Sequence, residues 1–348
     1  MNGKLSALKT GWIYFFIHFS IEFACFYFLY TRVSATPLWS LFALLYDAVA
    51  FVLQSALGAW LDKRPHLPFG FIGCLLVILA MVLPVRLLAV VIIGLGNALV
   101  HIDGANHTLR GTGNQITPNA IFVGGGSFGV VTGQLVGVWG GEPWIFCPLV
   151  LICGCACLCL IVTRNHFPKK SADELPLPTL KKDNAKLSDI LFILLVVFAV
   201  VVRSYIGYAI PTAWNKRVWQ TIMLFACMGA GKMLGGVLAD TLGFRKTTYV
   251  SLLLSLPFLL FGNSVMWLSL IGVLLFSMTM PLTVGLLCSR LTPAFAFGLT
   301  TVGLFLGVLP VFFITLPQSL LFHQILVLVL NLLTLACLLV TIKKDKGE

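Results

Sequence analysis

The sequence predicts an all-α polytopic membrane protein, and three observations predict it. Of its 348 residues, 59% are hydrophobic and only 10% carry a formal charge. An average soluble domain is roughly 25% charged, so this chain has too little charge to cover a water-facing surface, and lipid must cover most of it. The apolar residues gather into runs near the length, about 20 residues, that crosses a bilayer. The basic residues fall in the gaps between those runs.

Twelve transmembrane helices are expected. The first half gives apolar runs at 11–30, 38–60, 68–84, 87–105, 119–139 and 144–163; the second gives 189–209, 217–239, 247–262, 264–288, 293–316 and 321–341. The third and ninth are short, and the breaks after them rest on Pro84 to Arg86 and on Gly262 and Asn263. The first run follows Lys4 and Lys9 but contains Glu22 and is not closed by a small-residue cleavage site, so it reads as a retained span rather than a signal peptide.

With the N-terminus on the cytoplasmic side, seventeen basic residues fall on inside segments, among them Lys63, Arg64, Arg110, Arg164, Arg245, Lys246 and Arg290. Only Arg32, Arg86, Lys216 and Arg217 fall outside. That is the positive-inside bias, and it places both termini in the cytoplasm. The net charge of +11 is therefore topological, and no nucleic-acid partner is expected. The polar stretch 164–188, with Pro168, Pro176 and Pro178, reads as a cytoplasmic linker between a first unit, 1–163, and a second, 189–348. Cys153, Cys155, Cys157 and Cys159 spread over several faces of one helix and read as small apolar fillers.

A motif repeats between the halves. Gly58, Asp62, Lys63 and Arg64 follow span 2; Gly236, Asp240, Gly243, Arg245 and Lys246 follow span 8. Each copy sets a glycine four residues before an aspartate at a helix end, with basic residues after it. This pattern resembles the loop signature of the major facilitator superfamily, although the first copy lacks the second glycine. The resemblance implies two pseudo-symmetric six-helix bundles, a cavity lined by helices 1, 4, 7 and 10, and an inner gate at these two loops. Gly96 to Gly104 and the glycine-rich Phe122 to Gly137 are further similar to the fosmidomycin-resistance and drug-efflux branch. Gln134, after Gly133, departs from the family pattern, standing where the superfamily's antiporters usually place proline.

Ionisable residues inside hydrocarbon are costly unless they face a cavity or a partner, and so are candidates for function. Glu22, one turn after His18, is the first candidate for proton coupling, with a satisfied structural carboxylate as the plain alternative. Asp47, Asn97, His101 and Arg203 are further candidates for proton coupling or substrate. Asp103, His107, Arg110 and Lys232 are assigned to the inner gate with the two motif copies. Gly125, Gly129, Gly133 and Gly137 form a stripe that lets another helix approach closely. Asp103 and His107 have a metal-ligand spacing but lack convergent partners, so no metal and no cofactor is expected. No Gly-rich ATP-binding loop and no His-Glu-x-x-His helix occurs.

The expectation is thus a non-enzymatic, monomeric secondary transporter of a small solute or drug, proton-coupled, in a bacterial inner membrane and surrounded by lipid. A facilitative uniporter or uptake carrier, and a non-transporting receptor or assembly protein, are the alternatives.

Overall fold

The computed structural model describes residues 2–110, 112, 115–166 and 189–342. From residue 167 on, the expected linker 164–188 lies outside the described residues. All regular structure among the described residues is helical. We label α1 (Asn2–Phe28, prolonged by a π-helical turn Leu29–Val33), α2 (Trp39–Lys63), α3 (Phe69–Val82), α4 (Arg86–Leu109), α5 (Thr117–Gly140), α6 (Phe146–His166), α7 (Asp189–Ala209), α8 (Val218–Leu242), α9 (244–261), α10 (Met266–Cys288), α11 (Pro293–Val308) and α12 (Leu320–Thr341).

Ten of these helices are long and apolar enough to cross a membrane. The two that fall short, α3 and α9, stand where the sequence expects its short spans; α9 is also broken by a π turn at Tyr249–Leu253. The chain is a multi-pass membrane protein. Three helices carry π turns that periodicity does not reveal, at Leu29–Val33, Ala48–Val52 and Tyr249–Leu253. Such turns collect at functional sites, and the one in α2 directly follows Asp47.

The internal repeat is visible in the packing. Along α5, Gly125, Gly129, Gly133 and Gly137 lie against the backbone of Phe15, Phe19, Phe23 and Tyr27 in α1, where a Cβ would overlap a carbonyl oxygen or crowd it. In the second half α11 packs on α7 in a similar way, with Gly307 against the Val201 carbonyl and Gly303 against the Val200 side chain. Two further seams join the first six helices to the last six. Gly58 of α2 abuts Ala294 of α11, and Gly298 abuts Gln54; Gly124 of α5 faces Gly229 of α8, and Gly236 abuts Ala120. Small residues permit this approach, which replaces a hydrophobic driving force that lipid does not supply.

α4 lies at the centre of the first half. Every residue from Gly96 to Leu109 is buried, so its polar side chains must find partners inside the protein. This is why the helix runs to Leu109 rather than ending at 105: Asn106, His107 and Arg110 are satisfied by tertiary contacts rather than by water. After α8, Gly243 takes φ 89°, a left-handed turn that glycine adopts without strain.

Candidate functional site

The first feature is a buried polar centre between α1 and α4. Glu22 is 6% exposed, His101 5% and His18 6%. Glu22 Oε1 lies 3.3 Å from His101 Nε2 and 3.7 Å from His18 Nε2. It accepts a hydrogen bond from Asn97 Nδ2 at 3.1 Å, and the same amide donates to the Tyr46 hydroxyl at 3.0 Å. Each imidazole is anchored by its other nitrogen: His18 Nδ1 donates to the Phe122 carbonyl at 2.8 Å, and His101 Nδ1 to the Asn97 carbonyl at 3.0 Å. Carbonyls only accept, so both Nδ1 atoms carry hydrogen. In the neutral rings both Nε2 lone pairs therefore face the carboxylate. The glycines of α5 make the space: a Cβ on Gly126 would overlap the His18 ring, and one on Gly129 would crowd Cβ of Glu22.

The centre has charged neighbours. Asp47 of α2 is within electrostatic reach of Glu22 and of Tyr208 in α7. From the second half, Lys232 reaches across to donate to the Ser127 hydroxyl at 2.9 Å and interacts electrostatically with Glu22 and Arg203. Arg203 is 8% exposed and its Nε has no hydrogen-bond partner. Acids and imidazoles thus stand on the first-half side and cations on the other. A pocket lined by Tyr27, Thr31, Arg32, Met81 and Glu142 lies one to two turns further along α1, and Glu22 is not part of it.

The second feature lies where α2 and α4 end and α5 and α11 begin, here called the gate end. Asp62 accepts from the backbone N–H of Ala294 at 3.2 Å and Phe295 at 2.8 Å, the first turn of α11, and from Arg110 Nη2 at 2.6 Å. Asp240 accepts from the N–H of Ile116 at 3.0 Å and Thr117 at 2.8 Å, and from the Thr117 hydroxyl at 2.5 Å, all at the start of α5. Each carboxylate thus caps a helix of the opposite half, where orphan N–H groups and the positive dipole end favour an anion. Two ion-dipole latches close the gate end of the two seams.

Not every residue assigned to the gate from sequence lies there. Asp103 accepts from the Tyr14 hydroxyl at 2.5 Å, and His107 lies 3.0 Å from the same hydroxyl and bonds the Asp103 carbonyl at 2.8 Å. Both are inside the first half, about one to two turns from Arg110, because their face of α4 packs on α1. Lys63, Arg64 and Lys246 are exposed and Arg245 is half-buried, flanking the latches. Lys232 sits two turns from Asp240, nearer the polar centre. The glycine stripe packs inside the first half, while the seams between halves use Gly58, Gly124, Gly229, Gly236 and Gly298. Sequence reasoning also passed over Tyr46, Ser127 and the Phe122 carbonyl; only Tyr46, next to Asp47, had a signal that could have marked it. Of the α6 cysteines, Cys155 and Cys159 are buried and Cys153 and Cys157 exposed.

No protein-family model and no curated protein sequence matches this chain. Solved structures do. An Escherichia coli fucose:proton symporter matches with TM-score 0.65 at 11% identity, over 99% of this chain and 100% of that one. The human organic anion transporter MFSD10 gives TM-score 0.65 at 13% identity, over 98% and 99% of the two chains. A bacterial homologue of the iron transporter ferroportin in an outward-facing state gives TM-score 0.59 at 15% identity, over 96% and 98%. The fold is that of the major facilitator superfamily. Within that fold the latched residues are the repeated Gly-x-x-x-Asp loops, and the polar centre draws on the first and fourth helices.

Proposed function

We propose that this protein is a secondary transporter, not an enzyme, that moves a small solute across the membrane by alternating access, with proton exchange at Glu22. The observation that carries the reading is the pair of latches. Two halves of similar internal packing are clamped at one end by carboxylates on helix N-termini, contacts that can be broken without unpacking either half. In this reading all twelve helices cross the bilayer, residues 1–163 and 189–348 form two six-helix bundles joined by a cytoplasmic linker, and the gate end and both termini face the cytoplasm. The structure is then closed inside. The solute and proton sites lie around Glu22, Asp47, His101, Asn97 and Arg203, midway along the helices, as expected of transporters built from repeats.

The structural neighbours support transport in general: they are a fucose:proton symporter, an organic anion transporter and a homologue of an iron transporter. Gln134 donates to the Tyr30 hydroxyl at 3.1 Å and so ties α5 to α1 where the superfamily's antiporters usually have proline, which speaks against proton-driven drug export. Reconstitution tests the reading. Proteoliposomes holding the purified chain are given organic acids, amino acids, sugars, divalent cations and amphipathic drugs in turn, while lumenal pH and labelled-solute uptake are followed. A solute-dependent pH change, lost in the folded Glu22→Gln variant, is the expected result. Flux without a pH change would make the protein a uniporter; saturable binding with no flux would make it a receptor.

A further inference from the structure

We infer that the solute bound at the His18, Glu22 and His101 centre is a divalent transition-metal cation. The proposal deepens the transport reading and rests on it for the ion's passage, but not for its binding. The three side chains come from two helices, and their ligand atoms lie within 4.8 Å of one another. Both imidazoles are fixed with Nδ1 as a donor to a backbone carbonyl, which is the outer-shell arrangement that orients a metal-ligating histidine and leaves Nε2 as the ligand. Three acceptor atoms thus converge with a single N–H, from Asn97, aimed at them.

Distance separates a metal from a proton here. A proton shared by imidazole and carboxylate draws the heavy atoms to about 2.7–2.9 Å. The two Nε2–Oε1 separations are 3.3 and 3.7 Å, too long for that bond. Ligands at about 2.0–2.1 Å from a tetrahedral ion stand roughly 3.3 Å from one another; His101 and Glu22 stand at that spacing, and His18 lies a few tenths of an ångström further from Glu22. Two imidazoles and one carboxylate suit zinc and its neighbours in the first transition row rather than magnesium or calcium. The Cys25 thiol, 3.5 Å from Asn97 Nδ2, is the soft donor nearest to the set.

The surroundings suit an ion that leaves again. Asp47 places a second carboxyl group within reach of Glu22, while Lys232 faces the centre from the other half. Movement of the two halves carries Lys232 toward or away from the ion and so changes its affinity. Binding requires Glu22 ionised and both Nε2 atoms bare, so the ion and protons compete for the same lone pairs, which links this inference to proton exchange.

The test uses the full chain, purified in detergent without a polyhistidine tag. Equilibrium dialysis against Zn2+ should show one equivalent bound, lost in Glu22→Gln and in His101→Gln, retained in His323→Gln and Cys25→Ser, and weakened about 10–100-fold in Asn97→Ala. Lys232→Met should tighten binding. Co2+ bound to the unaltered chain should show the intense visible bands of a tetrahedral site without thiolate charge transfer, a readout independent of whether the variants fold. Absence of Zn2+ uptake by the unaltered chain, uptake unchanged by Glu22→Gln and His101→Gln, or thiolate bands with Co2+ would each overturn the inference. Proton-linked flux of another solute without Zn2+ uptake would overturn it and leave transport standing. Zn2+ bound at this centre but never carried into vesicles would sustain the site and overturn transport.

Discussion

The two latches are the same device built with different reserves. Asp62 and Asp240 each follow a glycine by four residues and each cap a helix across the seam. Asp62, however, also holds Arg110, whose side chain is 4% exposed, as is its own. Arg110 is fixed in turn by Asn106, to which its Nε donates at 2.6 Å. The corresponding end of the second half, at α10, has Arg290. It points instead to Asp189 at 2.7 Å and stacks over Phe192 at 4.9 Å. Among the described residues, Asp240 closes its seam with helix N–H groups and the Thr117 hydroxyl. The difference teaches that symmetric topology does not give equal strength: both seams are crossed by a carboxylate on a helix dipole, but one carboxylate is held in place by a buried arginine of its own half and the other is not, and the second seam is expected to open first.

Breaking the strong latch gives the largest effect. In Asp62→Asn a buried arginine loses its anion, and removing one partner of a buried pair costs about 3–5 kcal/mol. Because Asp62 and Arg110 belong to the same half, that cost falls on the first half itself and the melting temperature should fall, while the weaker cap on α11 raises amide hydrogen exchange in the segment that contains Ala294 and Phe295. Asp240→Asn loses an anion at a helix terminus and one short hydroxyl contact, about 1–2 kcal/mol, with exchange rising instead near Ile116 and Thr117. Equal effects, or exchange rising at the wrong helix, would remove the asymmetry.

A comparison of glycines separates the frame from the seams. Gly129→Ala places a methyl on the Phe19 carbonyl and against Glu22 Cβ inside the first half; overpacking of this kind costs about 1–3 kcal/mol, and the melting temperature should fall. Gly236→Ala meets Ala120 across the seam, where the halves can yield by parting. Its melting temperature should move less, while exchange rises at Ile116 and Thr117.

The sequence shows one side of each of these contacts. Asp62 and Asp240 could be found because a helix end, a glycine and basic residues repeat in both halves. The helices they cap could not, since nothing in Ala294 or Thr117 marks a partner more than a hundred residues away. Glu22, Asn97 and His101 stood out as polar residues in apolar runs, yet their convergence depends on the rotation of α1 against α4, which the glycines of α5 set. Spacing along a single helix, as in Asp103 and His107, does not show ligands that converge from two helices. That pair instead bonds Tyr14, an ordinary hydroxyl in the first span. The π turn after Asp47 left no periodicity to read.

The smallest effect comes from the arginine that does not join its latch. Arg290→Gln removes an ion pair whose Asp189 partner is 48% exposed in its side chain, and pairs open to solvent contribute about 0–1 kcal/mol. The melting temperature should barely change, and exchange at Ile116 and Thr117 should stay as it is, because Asp240 does not depend on Arg290. Arg110→Gln, the same substitution at the corresponding helix end, should instead approach the loss seen in Asp62→Asn, since it leaves a carboxylate without its cation at a closed seam. If the two variants behaved alike, the ion pair at Asp62 would add nothing to the helix cap, and both latches would have to be understood as dipole contacts of one strength.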